Sequence, residues 1–503
     1  MSATSSGREI LAALVDDGSF VGLRGRPLPP VGQRSAADAY PRTVAIARRS
    51  SGSDDSLIVG TAAVRGHDTV VAISEFGFLA GTLSLAAGEA FTAAVREAVA
   101  RRRPLIAVAN SGGARMQEGS GAFVQMIKCV AAIDDLRAAG LPLLVYLAHP
   151  TTGGVLASWG SLGHVTFAEP GATIAFTGPR VLAEIEGAGA SAGRLRAEHR
   201  LEDGQLDAVV GLEQLADAVA DILAALAPPT TPGRRGRGAS NRDPAWLLPT
   251  CEPPAGWRAV SASRSVNRPR PLDLLAACTT HPTRLRGDRL GSDDPSMYVS
   301  LCRLGDQPIM AIAHAALPEQ PARPTAAGLR LAVRAMEIAE SLGVGVLSLI
   351  DTPGASPDPE SERQGVAGQI AKTLQRMLNL NVPTVAMVVG EGGGGAAIAL
   401  VAADVVFAST CSWLGPIAPE AGSVILHRSP DHAAEVADMQ RVGPGQLHEI
   451  GVVDHVVDLR SPTSLGNVGE ALEATFSALQ SESAAARRRA RGGRFDALGL
   501  ARH

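Results

Sequence analysis

The sequence predicts an α/β protein made of two tandem units, each a mainly parallel sheet flanked by helices, and three observations predict it. Short apolar runs (LIAVA, LLVYLA, then GVLSLI and TVAMVV) alternate with amphipathic segments such as Phe123–Ala139 and Ala326–Ser341, and strands alternating with helices mark stacked βαβ units. The stretch Pro228–Asn241, PPTTPGRRGRGASN, has almost no large apolar residue; it cannot bury a core and reads as a linker. Landmarks recur on either side of it. In the first half Leu141-Pro142 precedes LLVYLA, then Gly153-Gly154, AEPGATIAFTGP and a segment ending in Asp207-Ala208-Val209. In the second, Val382-Pro383 precedes VAMVV, then Gly392–Gly395, Leu414-Gly415-Pro416 and a segment ending in Asp454-His455-Val456. The offset is 383 − 142 = 241 at the first landmark and 454 − 207 = 247 at the last. So slow a drift argues for duplication of a large unit rather than a short repeat, with a chance likeness of two α/β halves as the other reading.

These landmarks divide the chain into a first unit over residues 1–227, a linker over 228–270, a second unit over 271–485 and a basic tail over 486–503. The end of the chain, AAARRRARGGRFDALGLARH, is expected to be a solvated helix end or a disordered tail, or else a dock for an acidic partner.

At 503 residues the chain exceeds one ordinary core, and its hydrophobic content of 46% is that of a folded globular protein. A net charge of −4 gives no attraction of the whole chain to nucleic acid or an anionic membrane, so an anionic ligand must be held locally. The cysteines at 129, 251, 278, 302 and 411 form no CxxC pair and no His/Cys cluster, which argues against a zinc site or a disulfide scaffold. The start MSATSSGREILAALVDD lacks a charged-then-apolar signal, and no run of 18 apolar residues occurs; the cytoplasm is the expected compartment.

Glycine carries most of the functional information, because 55 glycines beside only 3% aromatic residues let the main chain approach itself or a ligand at many points. Gly153-Gly154 follows a strand-like run. A glycine pair entering a helix leaves successive N–H groups uncovered and without acceptors, which suits an oxyanion; a tight turn with no ligand is the plainer reading of the pair alone. GEGGGGAA, Gly390–Ala397, repeats the arrangement after TVAMVV. No Lys follows its glycines, the chain's lysines being Lys128 and Lys372, so a phosphate-binding P-loop is excluded, and a dinucleotide fingerprint fits poorly. Two oxyanion-type sites, one per half, fit better. Ser111-Gly112-Gly113-Ala114-Arg115 and Asp351-Thr352-Pro353-Gly354-Ala355 each follow a buried strand, at the edge where α/β sheets place ligands. Ser111 lacks the G-x-S-x-G setting of a nucleophile, and a GTPase reading of Asp351 fails without the P-loop.

SGGARMQEG (Ser111–Gly119), HPTTGGVLAS (His149–Ser158) and AEPGATIAFTGPRV (Ala168–Val181) closely resemble the β subunit of acetyl-CoA carboxylase carboxyltransferase. In the second half GDR (Gly287–Arg289), RLAVRAMEIAE (Arg330–Glu340), DTPGA (Asp351–Ala355), Glu362-Arg363, GEGGGGAAIA (Gly390–Ala399) and Ala418-Pro419-Glu420 resemble the α subunit. The likeness covers about residues 55–215 and 270–460, in family order. It implies two tandem crotonase-like domains of the ββα spiral type. It also implies a reaction in which carboxybiotin on a separate carrier protein gives up CO₂, an acyl-CoA loses its α-proton to the biotin ureido nitrogen, and the enolate takes the CO₂.

By motif match, the amides of Gly153 and Gly154 would hold the thioester oxygen, and those of Ala396 and Ala397 the ureido oxygen. Ser111, Gly112, Gly113, Ala114 and Arg115 would line the acyl-CoA; Gly354, Ala355, Gly393, Gly394, Gly395, Pro419 and Glu420 would stand on the biotin side. Preorganised backbone donors aimed at developing oxyanions are a chemical need of this reaction, and no side-chain base is required. Acetyl-CoA, giving malonyl-CoA, is the substrate the resemblance implies, with another acyl-CoA open. The chain has no ATP-grasp pattern and no Met-Lys-Met site, so biotin carboxylase and carrier are expected as separate partners, and a homodimer or larger homo-oligomer is implied.

Three departures stand out. No cysteine precedes Cys129, where the family's β subunit has a zinc ribbon; Ala396 replaces a family glycine; Leu331 replaces a lysine that would face CoA phosphates or solvent. A biotin-dependent decarboxylase of the same fold, or an acyl-CoA-binding scaffold without turnover, are the alternative readings.

Overall fold

The structure, a computed structural model, describes residues 4–23, 40–177, 195–228, 252–459 and 462–496. Most of the Pro/Gly/Arg stretch, Cys251, the end of the AEPGATIAFTGPRV motif from Gly178 and the tail beyond Asp496 lie outside the described residues. The chain forms two compact units, Met1–Leu223 with Arg289–Gly291, and Ala224–Asp288 with Ser292–His503.

Among the described residues each unit holds an eight-stranded sheet. In the first, the strands are β1 (Val21–Gly22), β2 (Leu57–Val64), β3 (His67–Ser74), β4 (Leu105–Ser111), β5 (Leu143–Thr152), β6 (Val165–Ala168), β7 (Ile174–Ala175) and β8 (Ala208–Val209). Their order is β1-β2-β3-β4-β5-β6-β8, with β7 beside β5. β1, β2 and β3 pair antiparallel and the others parallel. The β2–β3 hairpin closes through Arg65 and Gly66, at φ 47° and 80°, the two left-handed residues that a turn matching strand twist demands. Every residue of β4 is buried, as befits a parallel strand covered on both faces. The helices α1 (Leu85–Arg101) and α2 (Ser120–Ala138) supply Phe91, Val95, Ile133 and Leu136 to this core.

The second unit has β9 (Thr279–Leu285), β10 (Met297–Leu304), β11 (Gln307–His314), β12 (Gly345–Thr352), β13 (Thr384–Gly393), β14 (Val405–Ser409), β15 (Trp413–Gly415) and β16 (His455–Val457). Their order, β16-β14-β13-β12-β11-β10-β9 with β15 beside β13, is that of the first sheet strand for strand. Registers repeat as well. The ladder of β4 with β5 skips to Ser111↔Thr151 and that of β12 with β13 to Thr352↔Gly392, and both 352 − 111 and 392 − 151 equal 241. Duplication accounts for such a match and chance likeness does not. The drift at the last landmark is local, since β15 to β16 spans 455 − 413 = 42 residues and β7 to β8 spans 208 − 174 = 34.

Two segments differ from expectation. Residues 256–270 were expected in the linker, yet Gly256–Ser263 is a helix, packing Ala259 and Val260 against Trp413, Ala437 and Val442. Its Pro- and Arg-rich flanks hide a short apolar face. The basic tail is likewise ordered from Ala484 to Asp496 as a helix, and Arg487, Arg491 and Arg494, spaced to share one helix face, bond into the second unit. Leu331 is 1% exposed, on the helix Ala326–Leu342. Its side chain therefore lies in the core rather than toward phosphates or solvent.

Candidate active site

In the first unit β5 ends at Thr152 and runs into a one-turn helix, α3 (Gly153–Leu156). Gly153 has φ +62°, a conformation that admits glycine and few other residues. Its N–H is spent on the Phe176 carbonyl at 3.0 Å. Gly154 is the second residue of α3, too early for an acceptor within the helix, and among the described residues no backbone carbonyl outside the helix takes its N–H. The SGGAR loop meets this turn: a methyl built on Gly113 would lie 3.4 Å from the Gly154 nitrogen, and one on Gly154 3.7 Å from the Ala114 nitrogen. Ser111 shapes the loop, its Oγ accepting the Gly113 N–H at 3.0 Å.

The second unit repeats this construction. β13 ends at Gly393 and the helix Gly394–Val401 begins with Gly394 at φ +64°; 394 − 153 is again 241. Thr352 Oγ1 accepts the Gly354 N–H at 3.1 Å, in the manner of Ser111. Gly395 thus holds the position of Gly154. Ala396 is the third helical residue and Ala397 the fourth, whose N–H starts the helical ladder to the cap residue Gly393. Both alanines are fully buried. Among the described residues no backbone carbonyl takes the N–H of Gly394, Gly395 or Ala396, so the open donors of this turn include one of the pair expected from the motif, and Ala397 is the one bound into the helix. The methyl that distinguishes Ala396 from the family glycine is packed inside the unit.

Arg115 was expected at an acyl-CoA, but its side chain is fully enclosed. Its guanidinium donates to Thr82 Oγ1 at 2.9 Å, Ser56 Oγ at 2.9 Å, the Thr82 carbonyl at 3.0 Å and the Tyr40 hydroxyl at 3.2 Å. Tyr40 in turn donates to Glu118, whose other oxygen accepts the Leu85 N–H at 2.6 Å at the start of α1. Burial pushes the Tyr40 hydroxyl up to about 12, so it stays protonated and donating. Arg115 is a brace for the loop beside Gly154.

Residues 8–235 match the family of the carboxyl transferase domain, and residues 252–499 that of acetyl co-enzyme A carboxylase carboxyltransferase-like proteins. A probable biotin-dependent acyl-coenzyme A carboxylase beta3 subunit of Mycobacterium tuberculosis is 40% identical over 449 residues, 88% of this chain and 87% of that one. The chain belongs to the carboxyltransferases of biotin-dependent acyl-CoA carboxylases. An acetyl-coenzyme A carboxylase carboxyl transferase, subunits beta/alpha, of Salinispora arenicola is 37% identical, over 93% of this carboxyltransferase and 85% of the relative. The fold is that of the transcarboxylase 12S crystal structure with hydrolysed methylmalonyl-coenzyme A bound, at a TM-score of 0.73, 19% identity and coverage of 93% and 89%.

Behind the second glycine loop of this carboxyltransferase lies a charged cluster that sequence reasoning missed. Asp351 is 2% exposed and pairs with Arg268 at 2.7 Å, with Arg270 3.7 Å away. Arg264 pairs with Glu391 at 3.1 Å and with Glu420, whose carboxyl it holds below the usual range. The three arginines fall in RSVNRPRP, within the expected linker; their spacing just before a helix-starting Pro271 was the available signal.

His314, fully buried at the end of β11, accepts the Asp351 N–H on Nδ1 at 3.1 Å. Burial pulls its pKa from 6.5 down to about 4, against the upward pull of Asp351. A histidine whose folded pKa is depressed contributes stability above its unfolded pKa, and loses it as pH falls from about 6.5 towards 4. The fall in urea midpoint between pH 7.5 and 5.5 is accordingly expected to be smaller in His314→Gln, whose amide oxygen can accept the same N–H. Equal falls in the two proteins would refute this.

Proposed function

We propose that this carboxyltransferase moves CO₂ from carboxybiotin, held on a separate carrier protein charged by a biotin carboxylase, to the α-carbon of an acyl-CoA, with acetyl-CoA giving malonyl-CoA. One observation carries the reading: each unit holds the same open helix start beside the same bulged glycine loop, at a constant offset of 241 residues. The reaction needs two such donors, for a thioester oxygen that becomes an enolate oxygen and for the ureido oxygen of biotin.

The Gly154 amide is the acyl-CoA donor in the β-like unit, with Gly153 setting the turn, Ser111–Ala114 forming the adjoining wall and Arg115 bracing it. Gly394 and Gly395, flanked by Gly354, Ala355, Gly393, Pro419 and Glu420, form the biotin side. At Gly354 and Gly394 a Cβ would meet nothing nearer than 3.7 and 3.4 Å, which fits a ring approaching the main chain there. Biotin, when carboxylated, supplies the CO₂ and a nitrogen able to take the substrate's proton. The chain's own part is to stabilise charge with fixed backbone dipoles. The names of the relatives support acyl-CoA as substrate class, and the hexamer assembly of transcarboxylase 12S, whose fold this chain shares, supports a homo-oligomer. No described helix is long and apolar enough to cross a membrane, and a cytoplasmic site of action is part of the proposal.

The test is incorporation of labelled bicarbonate with biotin carboxylase and carrier supplied, across acetyl-, propionyl- and longer acyl-CoAs. Incorporation with at least one is expected, and the preferred one names the substrate. Binding of acyl-CoA with no incorporation from any would overturn the proposal.

A further inference from the structure

We propose that the segment Arg264–Arg270 of the second unit is a positioning strap, which sets the backbone donors at Gly394 and Gly395 by tying together three chain segments behind them. Arg268 is 6% exposed as a whole residue and reaches Asp351 Oδ1, at the end of β12, at 2.7 Å. The same oxygen accepts the Glu391 N–H at 3.0 Å, so the ion pair fixes the last residues of β13 directly. Gly390 shows how closely: a Cβ there would lie 2.3 Å from Asp351 Oδ1 and 2.4 Å from Arg268 Nη2. Arg264 completes the strap, with its Nε on Glu391 Oε1 at 3.1 Å and its Nη2 on Glu420 Oε2 at 3.1 Å. Glu420 is the second residue of the helix Pro419–His427. Only Gly392 and Gly393 separate Glu391 from Gly394.

The first unit supplies the comparison. Position 351 − 241 = 110 is Asn110, a neutral side chain whose Nδ2 donates to the Ser5 carbonyl at 3.1 Å. The first glycine loop has its own brace in Arg115, on Thr82, Ser56 and Tyr40, but among the described residues no arginine bonds to Asn110 behind the helix start. The fold therefore does not require a charged pair at this place, and the Asp351 version belongs to the task of the second unit. Backbone donors act through fixed position, and a displacement of about 1 Å can cost roughly 100-fold in rate.

The strap rests on the reading of Gly394 and Gly395 as the biotin-side donors, and its test keeps the two apart. Arg264 is half-buried, so Arg264→Gln is expected to fold. In the full-length protein with carrier and biotin carboxylase, its kcat should fall about tenfold, with the KM for acyl-CoA unchanged. Glu391→Gln should match it, the double variant should be no worse than either single, and Arg264→Lys should recover part of the rate. Hydrogen exchange is read in parallel and needs no turnover: amides of residues 391–396 should exchange faster in Arg264→Gln, and those of residues 105–111 at the wild-type rate. Unchanged exchange over 391–396 overturns the strap even if the wild type carboxylates nothing. An unchanged kcat in an active enzyme overturns it too, as does a parallel rise in acyl-CoA KM. A wild type inert with every acyl-CoA would instead count against the proposed function.

Discussion

Gly393→Ala is expected to lower kcat for carboxyl transfer by about 10²–10³-fold, the scale of losing one preorganised oxyanion donor. Gly393 is the last residue of β13, and a Cβ on it would lie 2.1 Å from the Pro353 carbonyl oxygen and 2.4 Å from the carbonyl carbon. Both are backbone atoms, so no side chain can swing aside to make room. Either the DTPGA loop retreats or the end of β13 shifts, and Gly394 and Gly395 move with it. The affected donors are those of the second unit, so acyl-CoA affinity, measured by titration calorimetry, should stay within about twofold of wild type if the first unit's loops carry it. Gly466→Ala is the control, because a Cβ there meets nothing within 4 Å; its kcat should be that of wild type. A Gly393→Ala enzyme with wild-type kcat would show that the contact of Pro353 with Gly393 does not set the donors.

The sequence carries the architecture of this protein more completely than its chemistry. The spacing of Pro142 and Pro383 already contains the offset of 241 that governs strand order and ladder register, because buried parallel strands leave continuous apolar runs. The glycine pairs were equally visible. What residue types do not state is where β13 stops and its helix starts, because glycine has no preference strong enough to mark the change within GEGGGGAA. The ladder decides it: Gly392 pairs with Thr352 on one side and Leu414 on the other, which keeps the chain extended to Gly393 and starts the helix at Gly394.

Side-chain direction was hidden for a different reason. Arg115 stands in the SGGAR motif, where a ligand is expected from the sequence, yet its guanidinium turns inward to Thr82, Ser56 and Tyr40. These partners come from segments dozens of residues away, and only the fold brings them near. Arg264, Arg268 and Arg270 were lost to composition, since prolines and arginines in a row look solvated until an acidic partner such as Asp351 is supplied by another strand.

The same error of composition covers the C-terminal arginines, and correcting it predicts a large effect on stability. Arg491 is fully enclosed, with Nε and Nη2 each 2.8 Å from the two oxygens of Asp404 and Nη1 on the carbonyls of Met377 and Leu380 at 2.7 and 3.1 Å. Asp404 also accepts from the N–H and Oγ1 of Thr384 at 2.8 and 2.9 Å. One guanidinium thus joins the last helix to the end of Val366–Asn379 and, through Asp404, to the first residue of β13. Arg491→Met removes it and leaves a buried carboxylate short of a cation, a change that typically costs about 3–5 kcal/mol. The urea midpoint of the second unit should fall accordingly.

Adding Asp404→Asn tests whether the stranded charge is the cause. If it is, the double variant should be more stable than Arg491→Met alone, because the asparagine has no charge to leave uncompensated and can still accept from Thr384. If the double variant is instead less stable by the sum of the two single losses, the ion pair is not what anchors the helix, and its carbonyl contacts carry the docking. A loss below about 1 kcal/mol in Arg491→Met, the range of a solvated surface pair, would return this segment to the exposed tail that its composition implies.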